Sequence, residues 1–139
     1  MERQWRRFAY VVTVWALTVV VAAGIGLAGI AKFLNPHQWE HLFAGWGYPA
    51  WFSPAIGTIE MAGAVALLVP RLALYGAILL GAVMLGALVT LLRHPAGPLG
   101  SGATPLFYLA LLGIISIARW RARTAAAFWA TKAHLKSSA

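Results

Sequence analysis

Ser53-Pro54-Ala55-Ile56-Gly57-Thr58-Ile59-Glu60-Met61-Ala62-Gly63-Ala64-Val65-Ala66-Leu67-Leu68-Val69-Pro70-Arg71 is the stretch on which the reading of the chain turns. It is apolar and long enough to cross a bilayer, yet it carries one acid, Glu60, near its middle. A carboxylate in hydrocarbon costs about 2.5 kcal/mol or more, so it faces a partner, a cavity or a ligand. On a helix, Ile56, Gly57, Gly63 and Ala64 are the neighbours of Glu60, with Ser53 and Leu67 one turn further off. That small-residue face packs inward, while Met61, Val65 and Leu68 form a bulkier face suited to lipid. Ser53 can cap the helix, Pro54 fits its first turn, and Pro70-Arg71 ends it, which predicts a helix over 53–69.

Upstream, the 24 residues from Phe8 to Ala31 carry no charge. That is far longer than the ~7–15 apolar residues of a secretory signal, so an uncleaved first helix over 8–31 is expected. Gly24, Gly26 and Gly29 thin its far half for close packing, and Lys32 closes it. Counted from Ser53, Glu60 lies about seven residues deep, roughly 10 Å at ~1.5 Å per residue. The long Lys32 stem can reach that depth from the same side. Two readings follow: a Lys32–Glu60 pair, or a Glu60 kept protonated by desolvation.

Downstream, Leu72 to Leu92 gives 21 uncharged residues and a third helix over 72–92. Its small pairs Ala77/Gly81 and Ala82/Gly86 are expected at helix contacts. Residues 93–103 form a Gly/Pro-rich loop, and Thr104-Pro105 opens a fourth helix over 104–118, anchored by Arg119 and Trp120. Between the first two helices, 35–51 reads as an interfacial loop with a short amphipathic piece, rich in aromatic residues such as Trp39, Trp46 and Trp51. The basic tail, 119–139, reads either as a helix lying on an anionic membrane surface or as a solvated tail. Trp120, Ala127, Phe128 and Leu135 would form the apolar stripe of the first version.

The totals agree with a membrane protein of one small domain. The 139 residues are 61% hydrophobic and 10% charged, with a mean hydropathy of +0.77. The net charge of +8 does not indicate nucleic acid, because the basic residues flank apolar segments. With four crossings, nine of the eleven Lys and Arg fall on one side and Lys32 and Arg93 on the other, which predicts both termini in the cytoplasm. The absence of cysteine removes disulfides, thiol redox chemistry, Fe–S clusters and thiolate metal sites.

Three features now stand together. They are Gly29-Ile30-Ala31-Lys32-Phe33-Leu34, the loop and helix from Phe43-Ala44-Gly45-Trp46-Gly47 through Ile59-Glu60-Met61-Ala62-Gly63 to Leu67-Leu68 with Arg71 beyond, and Leu91-Leu92-Arg93-His94. On these the chain resembles the DoxX / DoxX-like family of small membrane proteins, over about residues 24–119. The resemblance implies an all-α, four-helix transmembrane bundle in the bacterial cytoplasmic membrane. It also implies association with quinone-linked redox systems. Nothing in it extends to the basic tail.

The remaining constellations are read plainly. His37-Gln38-Trp39-Glu40-His41 matches a zinc-peptidase spacing but lacks the long soluble helix and distant third ligand, so a wet interfacial segment is expected and no metal is assigned. The four histidines lie outside the apolar runs, which argues against haem. Lys32, Glu60, Arg93, His94, Trp39 and Trp46 converge on the outer side as candidate ligand or buried-pair residues, suiting a quinone headgroup. No cofactor is read in the chain itself. The function expected is a non-catalytic or quinone-interacting subunit of a membrane redox system. The alternatives are an assembly or stabilising factor for another membrane protein and a small-solute carrier using Glu60. Lipid is the certain partner class, and self-association is left open.

Overall fold

The computed structural model of the chain describes residues 2–95 and 102–137, with side chains described for 4–5, 8–95 and 102–121. Five helices follow one another: α1 (Glu2–Leu34), α2 (Pro36–Gly45), α3 (Phe52–Leu68), α4 (Ala73–Arg93) and α5 (Ala103–Ser137). Three of them contain segments long and apolar enough to cross a membrane, Phe8–Leu34, Ala73–Arg93 and Ala103–Arg121. The fourth apolar helix, α3, has 17 residues, or ~26 Å at ~1.5 Å per residue, somewhat below the ~30 Å of a hydrocarbon core.

Each boundary has a local cause. Pro36 lacks an N–H and sits at the first position of α2, so the long α1 cannot run through it. Gly47, at φ +82°, supplies the left-handed residue that turns the chain after α2. Val69 is extended, as a residue before proline must be, and Pro70 opens a short turn into α4. Ser53 does not cap α3. The cap position is Trp51, it makes no side-chain cap bond, and Ser53 is already inside the helix. Thr104 likewise lies inside α5, which begins at Ala103.

The helix expected to end near Ala118 does not end there. No Gly or Pro occurs between Ile114 and Ser137, and α5 runs unbroken for 35 residues. The tail is therefore helical as a continuation of an apolar helix, not as a separate surface element. The stripe side chains Ala127, Phe128 and Leu135, and the bases Arg123, Lys132 and Lys136, lie outside the described residues. So do the side chains of Arg3, Arg6 and Arg7 and most of the 93–103 loop (residues 96–101).

Four helices share one core. Val21, Ala22 and Ile25 of α1 meet Ala64 and Leu67 of α3, Ala77, Leu80 and Met84 of α4, and Leu112 and Ile115 of α5. α1 packs on α3, α3 on α4 and α4 on α5, with a lighter α1–α5 seam closing the set. Two glycine crossings set the spacing. At Gly29 an added Cβ would stand 2.8 Å from the Gly57 carbonyl oxygen, and at Gly76 it would stand 2.6 Å from the Leu67 nitrogen. The expected small pairs of α4 work only in part: Ala77 is buried, whereas Gly81 and Gly86 face open space. Large apolar residues such as Val65, 63% exposed, cover the outside of the helices. A water-soluble domain avoids that much contiguous apolar surface, and lipid accepts it.

Candidate functional site

Glu60 lies on the buried face of α3 with Ser53, Gly57, Gly63, Ala64 and Leu67. Met61, Val65 and Leu68 are exposed on the other side, as the small-residue pattern anticipates. Lys32, in the last turn of α1, is brought opposite Glu60 by the Gly29–Gly57 crossing. Its Nζ stands 2.6 Å from Glu60 Oε2, and the two side chains are 5% and 6% exposed. The contact is a charge-assisted bond between ammonium and carboxylate, the stronger class of hydrogen bond.

The rest of the ammonium's bonding capacity is also taken up. Nζ donates to the Ala28 carbonyl oxygen at 3.3 Å, and it sits 4.6 Å from the ring centroid of Trp39. An ammonium has three N–H groups; here one meets a carboxylate, one a carbonyl and one an indole face. Glu60 differs. Its second oxygen, Oε1, has no hydrogen-bond partner among the described residues, and it is not fully enclosed. The pair therefore leaves one carboxylate oxygen unbonded among the described residues, while its Lys32 end lies against the Trp39 ring.

Trp39 belongs to α2, and α2 is tied down by an aromatic cluster around Phe43. Trp39, Trp46, Tyr48 and Phe52 place ring centroids 6.3, 5.7, 6.0 and 5.5 Å from it. Tyr48 stacks on Phe52 at 4.3 Å, and its hydroxyl lies 2.8 Å from Thr90 Oγ1 of α4. Trp46 stacks on His94, just past α4, at 6.5 Å. The segment expected as an interfacial loop is thus largely a helix packed on α1 and α3, and the turn after it, through Trp46 and Tyr48, reaches the end of α4.

The candidate residues fall into two linked groups. Lys32, Glu60 and Trp39 form the first, Trp46 and His94 the second, and Phe43 joins them. Arg93, exposed in the last turn of α4, enters neither. His37 and His41 are exposed on α2, and no group of three metal-binding side chains gathers among the described residues.

A polar contact at the opposite end was not anticipated. Thr18, fully buried in α1, donates to the Val14 carbonyl oxygen at 2.6 Å and accepts from Arg119 Nη2 at 3.2 Å. The Arg119 guanidinium also lies 5.0 Å from the Trp15 ring centroid, and Tyr10 donates to the Ala118 carbonyl oxygen at 3.1 Å. Arg119 thus stitches α5 to α1 as well as standing at a helix boundary. The signal was available: Thr18 is one of few polar residues in a long apolar run.

The fold, the apolar outer surface and the acid-bearing α3 define a small helical membrane protein. The family model described as DoxX-like family matches residues 16–115, more than half of the chain, and the protein belongs to that family. Comparison with curated proteins and with solved structures gives no match.

Proposed function

We propose that this chain is a non-catalytic, quinone-interacting subunit of a membrane redox system. In this reading α1, α3, α4 and α5 cross the bacterial cytoplasmic membrane, both termini are cytoplasmic, and α2 lies at the outer surface. The observation that carries the reading is the buried Lys32–Glu60 pair, with Oε1 of Glu60 unbonded and the Trp39 ring against the Lys32 ammonium. A planar ring with polar oxygens suits such a site: it can stack on an indole and bond to one acceptor. The test uses the whole protein in mild detergent, titrated with a short-tailed benzoquinol or benzoquinone. Saturable binding that Trp39→Leu and Glu60→Gln both weaken supports the reading. Absence of saturable binding of either form overturns it.

The second reading, an assembly or stabilising factor, draws on a different feature. The outward side of α3 carries Thr58, Ala62 and Ala66, small residues four apart, along an open apolar groove of about 740 Å³ shared with Ile30, Phe33 and Met61. Such a stripe lets another helix approach closely. Stoichiometric co-purification of a membrane protein, abolished by Ala62→Phe with quinol binding intact, would favour this role.

A further inference from the structure

The part of α5 apolar enough for a bilayer is Ala103–Arg121, yet the helix runs on without interruption to Ser137. At ~1.5 Å per residue, Lys132 stands about 16 Å past the end of that span and Lys136 about 22 Å. The headgroup layer takes up about 5–7 Å of this, so both lysines lie about a Debye length (~8 Å at physiological salt) or more beyond the lipid surface. A straight helix that crosses a membrane does not also lie on it.

The bundle does not follow α5 that far. Gly24 of α1 faces Tyr108 and Tyr10 of α1 meets Ala118, so the two helices run antiparallel. The helix α1 begins at Glu2, about 12 Å along the axis from Tyr10. It therefore accompanies α5 to about residue 126.

The helix beyond is two-sided in chemistry. Phe128 and Leu135, seven residues apart, share one face, and Lys132 and Lys136, four apart, share the adjoining one. Trp129 is in register with both lysines, three residues before one and seven before the other. Ala126, Ala130 and Ala133 share the opposite face. No acidic residue follows Glu60 in the sequence, so the same segment of a second copy would bring like charges together. Nucleic acid is held by rows of bases on phosphates. Here the two lysines stand among large apolar residues on one side, the pattern of a basic amphipathic helix that enters a protein groove.

We infer that residues 127–137 of α5 form a docking helix for a soluble protein whose apolar groove is rimmed by carboxylates. The bundle is the anchor, and the unbroken rod holds the docking face clear of the lipid. The inference rests on α5 crossing the membrane, as proposed above, and is independent of quinol binding.

The probe is calcium-loaded calmodulin, an acidic protein whose apolar groove accepts helices of this kind. The whole protein, whose sequence has no cysteine, carries Thr131→Cys with an environment-sensitive fluorophore and is held in neutral-lipid nanodiscs. Calmodulin should give a saturable blue shift. Lys132→Glu with Lys136→Glu should weaken binding about tenfold or more, and Phe128→Ser about tenfold or more. Both variants should keep the wild-type Tm, because these positions lie beyond the packed bundle. Absence of a saturable shift, or binding unchanged in both variants, overturns the docking helix. A blue shift in nanodiscs containing phosphatidylglycerol, with no calmodulin added, overturns it by placing the segment on the membrane. Binding of a short DNA duplex as tight as that of calmodulin overturns it in favour of a general polyanion site.

Discussion

Lys32 and Glu60 form a buried ion pair in which each depends on the other. Each is buried, and each would be an unpaired charge without its partner. Removing one side of a buried pair costs about 3–5 kcal/mol, whereas replacing both with apolar residues of similar size is close to neutral. Lys32→Met should therefore lower stability by about that amount, and Lys32→Met with Glu60→Leu should recover most of it. Thermal unfolding in detergent checks the comparison. A double variant no better than the single one would show that the pair does not act as a unit. The pair was legible in the sequence, because an acid within an apolar run and a lysine at a helix end on the same side leave few partners. Trp39 as its third wall was not legible. Its place depends on how Pro36 redirects the chain, and periodicity carries no information about that angle.

Among the elements, α3 and α4 show how much a glycine's meaning depends on its neighbours. Gly76 and Gly81 look alike in sequence, and Gly81 belongs to the more obvious small-residue pair. The structure reverses their importance: the space beside Gly76 is taken by the backbone of Leu67 and Gly63, and that beside Gly81 is open. Gly76→Ala should force α3 and α4 apart, at a cost of about 1–3 kcal/mol, the usual range for overpacking. Gly81→Ala should be neutral or stabilising by up to about 1 kcal/mol, because alanine is the better helix former. Denaturant unfolding of the two variants tests the contrast. Small-residue spacing located the helices that pack closely without saying which of several small residues stands at the crossing. The unbroken α5 teaches a related lesson. A change from apolar to basic composition at Arg119 marks a change of surroundings; a helix stops only where its backbone is interrupted.

For the whole molecule, the cysteine-free sequence offers a clean test of topology. Under the proposed arrangement, a cysteine placed at Ala50, in the turn just before α3, should react with a membrane-impermeant thiol reagent added outside intact cells. One placed at Ser137 should react only after the cells are opened. The opposite pattern would invert the molecule and put the Lys32–Glu60 pair in the cytoplasmic half. Basic-residue counting supports the stated direction, since with four crossings the two terminal segments and the Pro70 turn share one side and carry nine of the eleven Lys and Arg. That the chain is built of apolar helices, three of them long enough to cross a membrane, was readable from composition and pattern. The course of α2 and of the turn after it was not, because the aromatic contact between Trp46 and His94 is long-range and leaves no local repeat.

The continuity of α5 has a mechanical side. At ~1.5 Å per residue its 35 residues measure about 52 Å, well beyond the ~30 Å of a bilayer core. Leu112 and Ile115, in the shared core, stand on the same rod as Ser137. A rod without a hinge acts as a lever: a load that tilts its far end also tilts the turns that carry the core residues. Along that rod, the lightly packed α1–α5 seam, with Arg119 on Thr18 and Trp15, is where the tail-bearing half of α5 is tied to the first helix.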